Sequence, residues 1–182
     1  SPNTPGLRNL QGRAQMREVV VRAKAARQGT AGAGRLPPLL FKVGPDLDGE
    51  AIRDIAEVAV AEKIDGLIVG NTTLDRPASL KSAQRGETGG LSGQPLLGKA
   101  NACLAEMYRA VDGRLPIIGC GGVANGAHAY AKIRAGASLV QLYSALVYHG
   151  PGLVVSIRRE LAARLRADGF KSVADAVGAD FR

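Results

Sequence analysis

Short apolar runs alternate along this chain with longer stretches in which apolar residues recur every three to four positions. Leu39-Leu40-Phe41-Lys42-Val43, Leu67-Ile68-Val69-Gly70, Pro116-Ile117-Ile118 and Leu139-Val140-Gln141-Leu142-Tyr143 have strand length, and near-continuous apolar runs belong to strands covered on both faces. The intervening stretches have helical period. One runs from about Leu10 to Arg27 with Leu10, Ala14, Val19, Val20 and Ala23 near one face. A second is capped by Asp48 and continues through Glu62 on a stripe of Ile52, Ile55, Val58 and Ala59. A third opens at Pro95 and reaches about Val111, with Leu96, Leu97, Ala100, Leu104, Met107 and Val111 inward. Asn125 caps a fourth, which runs through roughly Ala135 and is stopped by Gly136. The last carries Val154, Ile157, Leu161 and Leu165.

Strands alternating with helices of this length predict a parallel sheet of right-handed βαβ units. Four such units are half of an eight-stranded (β/α)8 TIM barrel, for which about 250 residues are typical. The chain starts at Ser1, without Met, in the loop-like stretch Ser1-Pro2-Asn3-Thr4-Pro5-Gly6. The expectation is an α/β fold that is the C-terminal half of one barrel domain over residues 1–182, strands 5–8, with the N-terminal half missing.

In a barrel the carboxyl ends of the strands converge on one face, where active sites lie. Polar residues collect at those ends: Lys42, Asn71-Thr72, Gly121-Gly122 and Tyr143-Ser144. The glycine turn after the third strand leads into a helix, which predicts an anion site where amides face a ligand that no Cβ keeps away. Leu74 to Gln94 is a long loop rich in Gly, Ser and Arg, of the length of a lid or binding loop. His128 and His149 lack a carboxylate or cysteine at ligand spacing and read as surface or capping residues. Cys120, between glycines, reads as a small buried filler.

Composition narrows this picture without redirecting it. The chain of 182 residues is 46% hydrophobic, enough for one sizeable core. Two cysteines form neither a disulfide framework nor a metal motif. No apolar run approaches the roughly 20 residues of a transmembrane helix. The net charge of +8 is spread along helices without interleaved aromatic residues, which argues against a nucleic-acid partner.

Six motifs carry a family resemblance: SPNTPGLR at 1–8, FKVGPDL at 41–47, IDGLIVGNTT at 64–73, GETGGLSGQPL at 86–96, LPIIGCGGV at 115–123 and IRAGASLVQLYSAL at 133–146. In this order they resemble dihydroorotate dehydrogenase, with the quinone-dependent class 2 branch fitting best through the serine of SPN. The resemblance implies an FMN-binding (β/α)8 barrel that oxidises dihydroorotate to orotate. It implies a catalytic base at Ser1, with Thr4 relaying its proton, and substrate contacts from Asn3, Asn71 and Thr72. Lys42 matches a lysine beside the flavin, and Gly93, Gly122, Tyr143 and Ser144 match FMN-phosphate contacts, with Ser92, Gly70 and Gly121 beside the cofactor. The implied partners are dihydroorotate or orotate, a quinone, and a membrane surface reached through an N-terminal extension. The implied location is peripheral on the inner membrane, on its cytoplasmic face in a bacterium or in the mitochondrion of a eukaryote. Gly70 departs from the family's usual threonine or serine, and Cys120 from its common valine. Competing readings are another FMN-dependent pyrimidine oxidoreductase and a non-catalytic phosphate-binding half-barrel. An isolated half is expected to bind FMN poorly, because it leaves two open sheet edges.

Overall fold

The computed structural model describes residues 3–30 and 34–182. Four parallel strands, β1 Leu40–Val43, β2 Gly66–Val69, β3 Ile117–Cys120 and β4 Leu139–Gln141, pair in chain order. Each is followed by a helix: α2 Gly49–Ala61, α3 Leu97–Val111, α4 Gly126–Arg134, and the pair α5 Ser144–His149 and α6 Gly152–Ala167. A 3-10 turn over Leu7–Gln11 and helix α1, Arg13–Thr30, precede β1, and the short helix α7, Val173–Ala176, follows α6. Sequential order in a parallel sheet is the order of neighbouring strands in a (β/α)8 barrel.

The register divides the sheet into two unlike faces. Lys42, Ile68, Ile118 and Leu139 form one row across the four strands, and Val43, Val69, Gly119 and Val140 form the next. Neighbouring rows point to opposite faces. Val43, Leu67, Val69 and Ile117 are buried in the core with Ile52, Ile55, Leu104 and Met107 from α2 and α3. The Lys42 row lies on the face those helices do not cover: Lys42 is exposed, Ile68 and Ile118 are half-buried, and Leu139 is 62% exposed.

The expected caps are present. Asp48 accepts a hydrogen bond from the Ala51 amide at 2.8 Å, and Asn125 accepts one from the His128 amide at 2.8 Å. Gly136 holds φ +113°, and a side chain there would collide with the ring of Tyr108.

Three expectations need correction. Gly12, in extended backbone, separates the 3-10 turn from α1, so Met16 and Val20 face the core while Leu10 and Ala14 do not. Val154 lies on the exposed side of α6, which buries Ile157 and Leu165. The last strand stops at Gln141, because Ser144 already begins α5. Helix α1 docks on α2 through ion pairs as well as apolar contact: Arg13 meets Asp54 at 2.7 Å and Arg17 meets Glu62 at 2.8 Å.

Candidate active site

The carboxyl ends of all four strands open on one cleft of about 890 Å3. Its walls come from Lys42, from Asn71 and Thr72 after β2, from Ser92 to Leu96 ahead of α3, from Cys120 to Ala124 after β3, and from Leu142 to Ala145 with Tyr148 and His149 after β4. That volume lies within the range of small-molecule and cofactor sites. Pro95, Leu96, Val123 and Leu142 supply apolar surface. Within the wall the Ser144 hydroxyl donates to Ser92 Oγ at 2.9 Å. Apolar walls with hydroxyls and a glycine turn at the start of α4 fit a flat ring system carrying an anionic tail.

The glycine turn is built differently from the sequence expectation. Gly122 holds φ +77°, and a Cβ there would lie 2.5 Å from the Leu97 Cα. The space that glycine leaves is thus filled by the start of α3. Helix and turn approach closely, and this closeness shapes the floor of the cleft.

Of the residues expected in the site, Lys42, Asn71, Thr72, Ser92, Gly93, Gly121, Gly122, Tyr143 and Ser144 all line this cleft. Gly70 is buried at the end of β2 against Pro45. Asn3 lies by the far end of the long loop, where its Oδ1 accepts from the Gly90 amide at 3.0 Å. Thr4 is exposed, and its carbonyl accepts from the Leu7 amide at 3.2 Å. Ser1 lies outside the described residues.

His149, read from the sequence as a bland surface or capping residue, belongs to the cleft lining at the end of α5. Tyr148 joins it, four residues after Ser144 and so on the same helical face. That spacing is the signal the sequence holds, and it carries weight only once a helix is known to begin at Ser144. Cys120 is half-buried and lines the cleft.

Asp46 stands after β1, in the motif at 41–47. Its carboxylate accepts from Arg8 Nη1 at 2.8 Å, from the Leu74 amide at 3.0 Å and from the Thr73 hydroxyl, and it pairs with Lys99 at 2.9 Å. Burial works to raise this carboxyl, but the hydrogen bonds from Thr73, Leu74, Lys99 and Arg8 outweigh it and hold it well below the usual carboxylate range. Arg8 Nη2 also donates to the Thr72 carbonyl at 3.3 Å. Lys99 pairs in addition with Asp75, and Thr73 bridges to Leu91 across the base of the long loop. Inside that loop Arg76 holds the carbonyls of Glu87 at 2.8 Å and Gly89 at 2.6 Å.

Among the described residues no group of three or more His, Cys, Asp and Glu could hold a metal, and no helix is long and apolar enough to cross a membrane.

Residues 1–165 match the family described as Dihydroorotate dehydrogenase. The chain is 60% identical to a dihydroorotate dehydrogenase (quinone) of Xanthobacter autotrophicus, over 100% of this chain and 51% of that protein. It is 48% identical to the mitochondrial dihydroorotate dehydrogenase (quinone) of Mus musculus, over 100% of this chain and 46% of that protein. The crystal structure of DHODH from Eimeria tenella in complex with ferulenol superposes with a TM-score of 0.95 at 41% identity, over 100% of this chain and 52% of that one. The chain therefore spans about half the length of the relatives it matches.

Proposed function

The chain belongs to the dihydroorotate dehydrogenase family, and on that premise we propose that it carries the flavin- and substrate-binding half of an enzyme oxidising (S)-dihydroorotate to orotate in de novo pyrimidine biosynthesis. FMN is the cofactor in this reading, a quinone the electron acceptor, and the strands are 5–8 of one barrel domain. The observation that carries it is convergence: Lys42, Asn71 and Thr72 share one cleft with the glycine turn and with Ser92 and Ser144. A scaffold alone has no need of a lysine in the Lys42–Ile68–Ile118–Leu139 row.

FMN held in this cleft, whose glycine turn, Ser92 and Ser144 would bind it, would supply the hydride-accepting chemistry for C6 of the substrate and the route of the electrons to the acceptor. Lys42 places a positive charge at the wall of the cleft, where negative charge develops during that transfer. Asn71 and Thr72, with Asn3, offer paired donors and acceptors to the planar pyrimidine and its carboxylate. Ser1 takes the proton from C5, and because a free serine is a weak base it hands that proton on through Thr4. The tied loop at 74–91 excludes water from the reacting atoms. Gly93, Gly122, Tyr143 and Ser144 would hold the phosphate of the cofactor, with Ser92, Gly121 and Gly70 beside it.

Tyr143 and Tyr148 border the cleft at 81% and 83% exposure, with the exposed Val147 between them in sequence. This apolar approach supports a lipid-soluble acceptor. It is in keeping with peripheral attachment to an inner membrane, bacterial or mitochondrial, through an N-terminal extension.

The test uses the full product of the gene that encodes residues 1–182. It should purify yellow, and dihydroorotate should bleach the flavin without oxygen and reduce a quinone. Ser1→Ala should keep the flavin bound and lose bleaching by about 10²-fold or more. A colourless protein, or bleaching at the normal rate in the variant, would count against the cofactor or the base respectively.

A further inference from the structure

The Asp46 carboxylate joins three pieces of chain that are far apart in sequence. The first is the 3-10 turn at Leu7–Gln11, held through Arg8. The second is the segment after β2, held through Thr73 and Leu74. The third is the first turn of α3, held through Lys99. The same Arg8 grips the Thr72 carbonyl. Gln11, in the same turn, accepts a hydrogen bond from the Gly44 amide at 2.6 Å, so the turn is also tied to the end of β1. Asn71 and Thr72 are thereby held from their C-terminal side: the Thr72 carbonyl is fixed by Arg8, and the two residues that follow are fixed on Asp46. The group belongs to the site's support, since Asp46 itself does not line the cleft.

Two cations, Arg8 and Lys99, face two carboxylates, Asp46 and Asp75. Removing the Asp46 charge leaves Arg8 without its carboxylate and Lys99 against Asp75 alone, and it weakens the acceptor of the Thr73 hydroxyl. The backbone of Asn71 and Thr72 then loses its reference to the turn that follows Asn3. The cofactor wall on β3 and β4 keeps its own contacts, including the Ser144–Ser92 bond. The consequence is selective, falling on whatever Asn71 and Thr72 bind.

We propose that Asp46 is a positioning residue for substrate binding: its charge, acting through Arg8 and Thr73, sets the place of Asn71 and Thr72 relative to the segment that carries Asn3. This rests on the assignment of dihydroorotate to that part of the cleft.

The experiment compares wild type, Asp46→Asn and Asp46→Glu in the full gene product. Anaerobic flavin reduction gives KM and limiting rate for dihydroorotate, orotate titration of the flavin spectrum gives Kd, and flavin content and quinone KM serve as controls. Asp46→Asn should raise dihydroorotate KM and orotate Kd about ten-fold, with limiting rate, flavin content and quinone KM within about two-fold. Asp46→Glu, which keeps the charge, should recover most of the affinity. Unchanged orotate affinity in Asp46→Asn overturns the proposal. So does loss of flavin in proportion to loss of orotate, since that is a scaffold defect. Should the Asn variant aggregate, Arg8→Gln and Thr73→Val each remove one arm. Each should raise orotate Kd about three-fold with flavin retained, and no rise in either overturns the proposal. A wild type that dihydroorotate cannot reduce overturns both the functional reading and this role. Normal wild-type reduction with an unaffected variant overturns the positioning role alone.

Discussion

Lys42 and Lys132 stand on opposite faces of one sheet, in opposite surroundings. Lys42 projects from β1 on the face that α2 and α3 leave bare, exposed and bordering the cleft. Lys132 projects from α4 into the covered face, fully buried, with its Cδ 3.1 Å from where a Gly119 Cβ would stand. It donates to Asn101 Oδ1 at 2.8 Å, and burial pulls its amine down to about 8. The difference teaches where this fold can use a charge. A cation on the bare face stays available to a ligand, while one inside the packed face costs free energy that the fold must absorb.

The largest effect should come at the seam between the two faces. If Gly122 serves the packed face, as its contact with Leu97 indicates, then Gly122→Ala damages the protein even without flavin. A left-handed backbone costs an ordinary residue about 1–2 kcal/mol. Overpacking against the Leu97 Cα adds roughly 1–3 kcal/mol. The urea midpoint of flavin-free protein should therefore correspond to a loss of about 4 kcal/mol. Unchanged flavin-free stability with lost flavin binding would return Gly122 to the bare face and to a ligand-only role.

Lys132 supplies the next test, through pH. The folded amine titrates at about 8 and the ordinary lysine value is 10.5. Below pH 8 both folded and unfolded chains are protonated, and the folded one bears the burial cost. Between 8 and 10.5 the unfolded chain still holds the proton that the folded one has released, so stability rises with pH. Above that window both are neutral and the cost is gone. Lys132→Met removes the group. Wild-type stability relative to this variant should climb by roughly 3 kcal/mol across the window, read from denaturant midpoints. A difference that does not vary with pH would mean that Lys132 reaches solvent, and the contrast between the two lysines would fail.

These two sides were not equally legible in the sequence. Lys42 interrupts an apolar strand run, so its oddity was visible, and the other strand ends could be added to it. Lys132 sits in the helical stretch from Asn125 to Ala135, where a lysine reads as solvated surface. Only the approach of α4 to Gly119 puts it inside. The strands and caps were readable because periodicity and capping are local properties. The face of α1 was not, because Gly12 resets the start of the helix and shifts the stripe to Met16 and Val20. The Asp46 cluster was invisible for a stronger reason: its partners Arg8, Thr73 and Lys99 are separated by 27 to 53 positions from it, a distance at which spacing carries no signal.

Lys42→Met gives the smallest change in free energy and the cleanest separation of the faces. Methionine matches the length of the side chain and extends the apolar row of Ile68 and Ile118, so the packed face should not register the change. The denaturation midpoint should stay within about 0.5 kcal/mol of wild type. The cleft loses a positive charge from its wall, which the proposed function puts at the site of hydride transfer, and groups of that kind are worth about 10²-fold in rate, or about 2.7 kcal/mol. Flavin reduction by saturating dihydroorotate should slow by about that factor, while orotate affinity, which the proposed function assigns to Asn71 and Thr72, changes much less. Arginine at the same position keeps the charge but is planar and longer. A partial return of rate in Lys42→Arg, without a change in the midpoint, would tie the effect to charge at the bare face. A loss of stability in Lys42→Met equal to the loss of rate would instead make this lysine part of the packing, and the two faces would no longer divide the work between them.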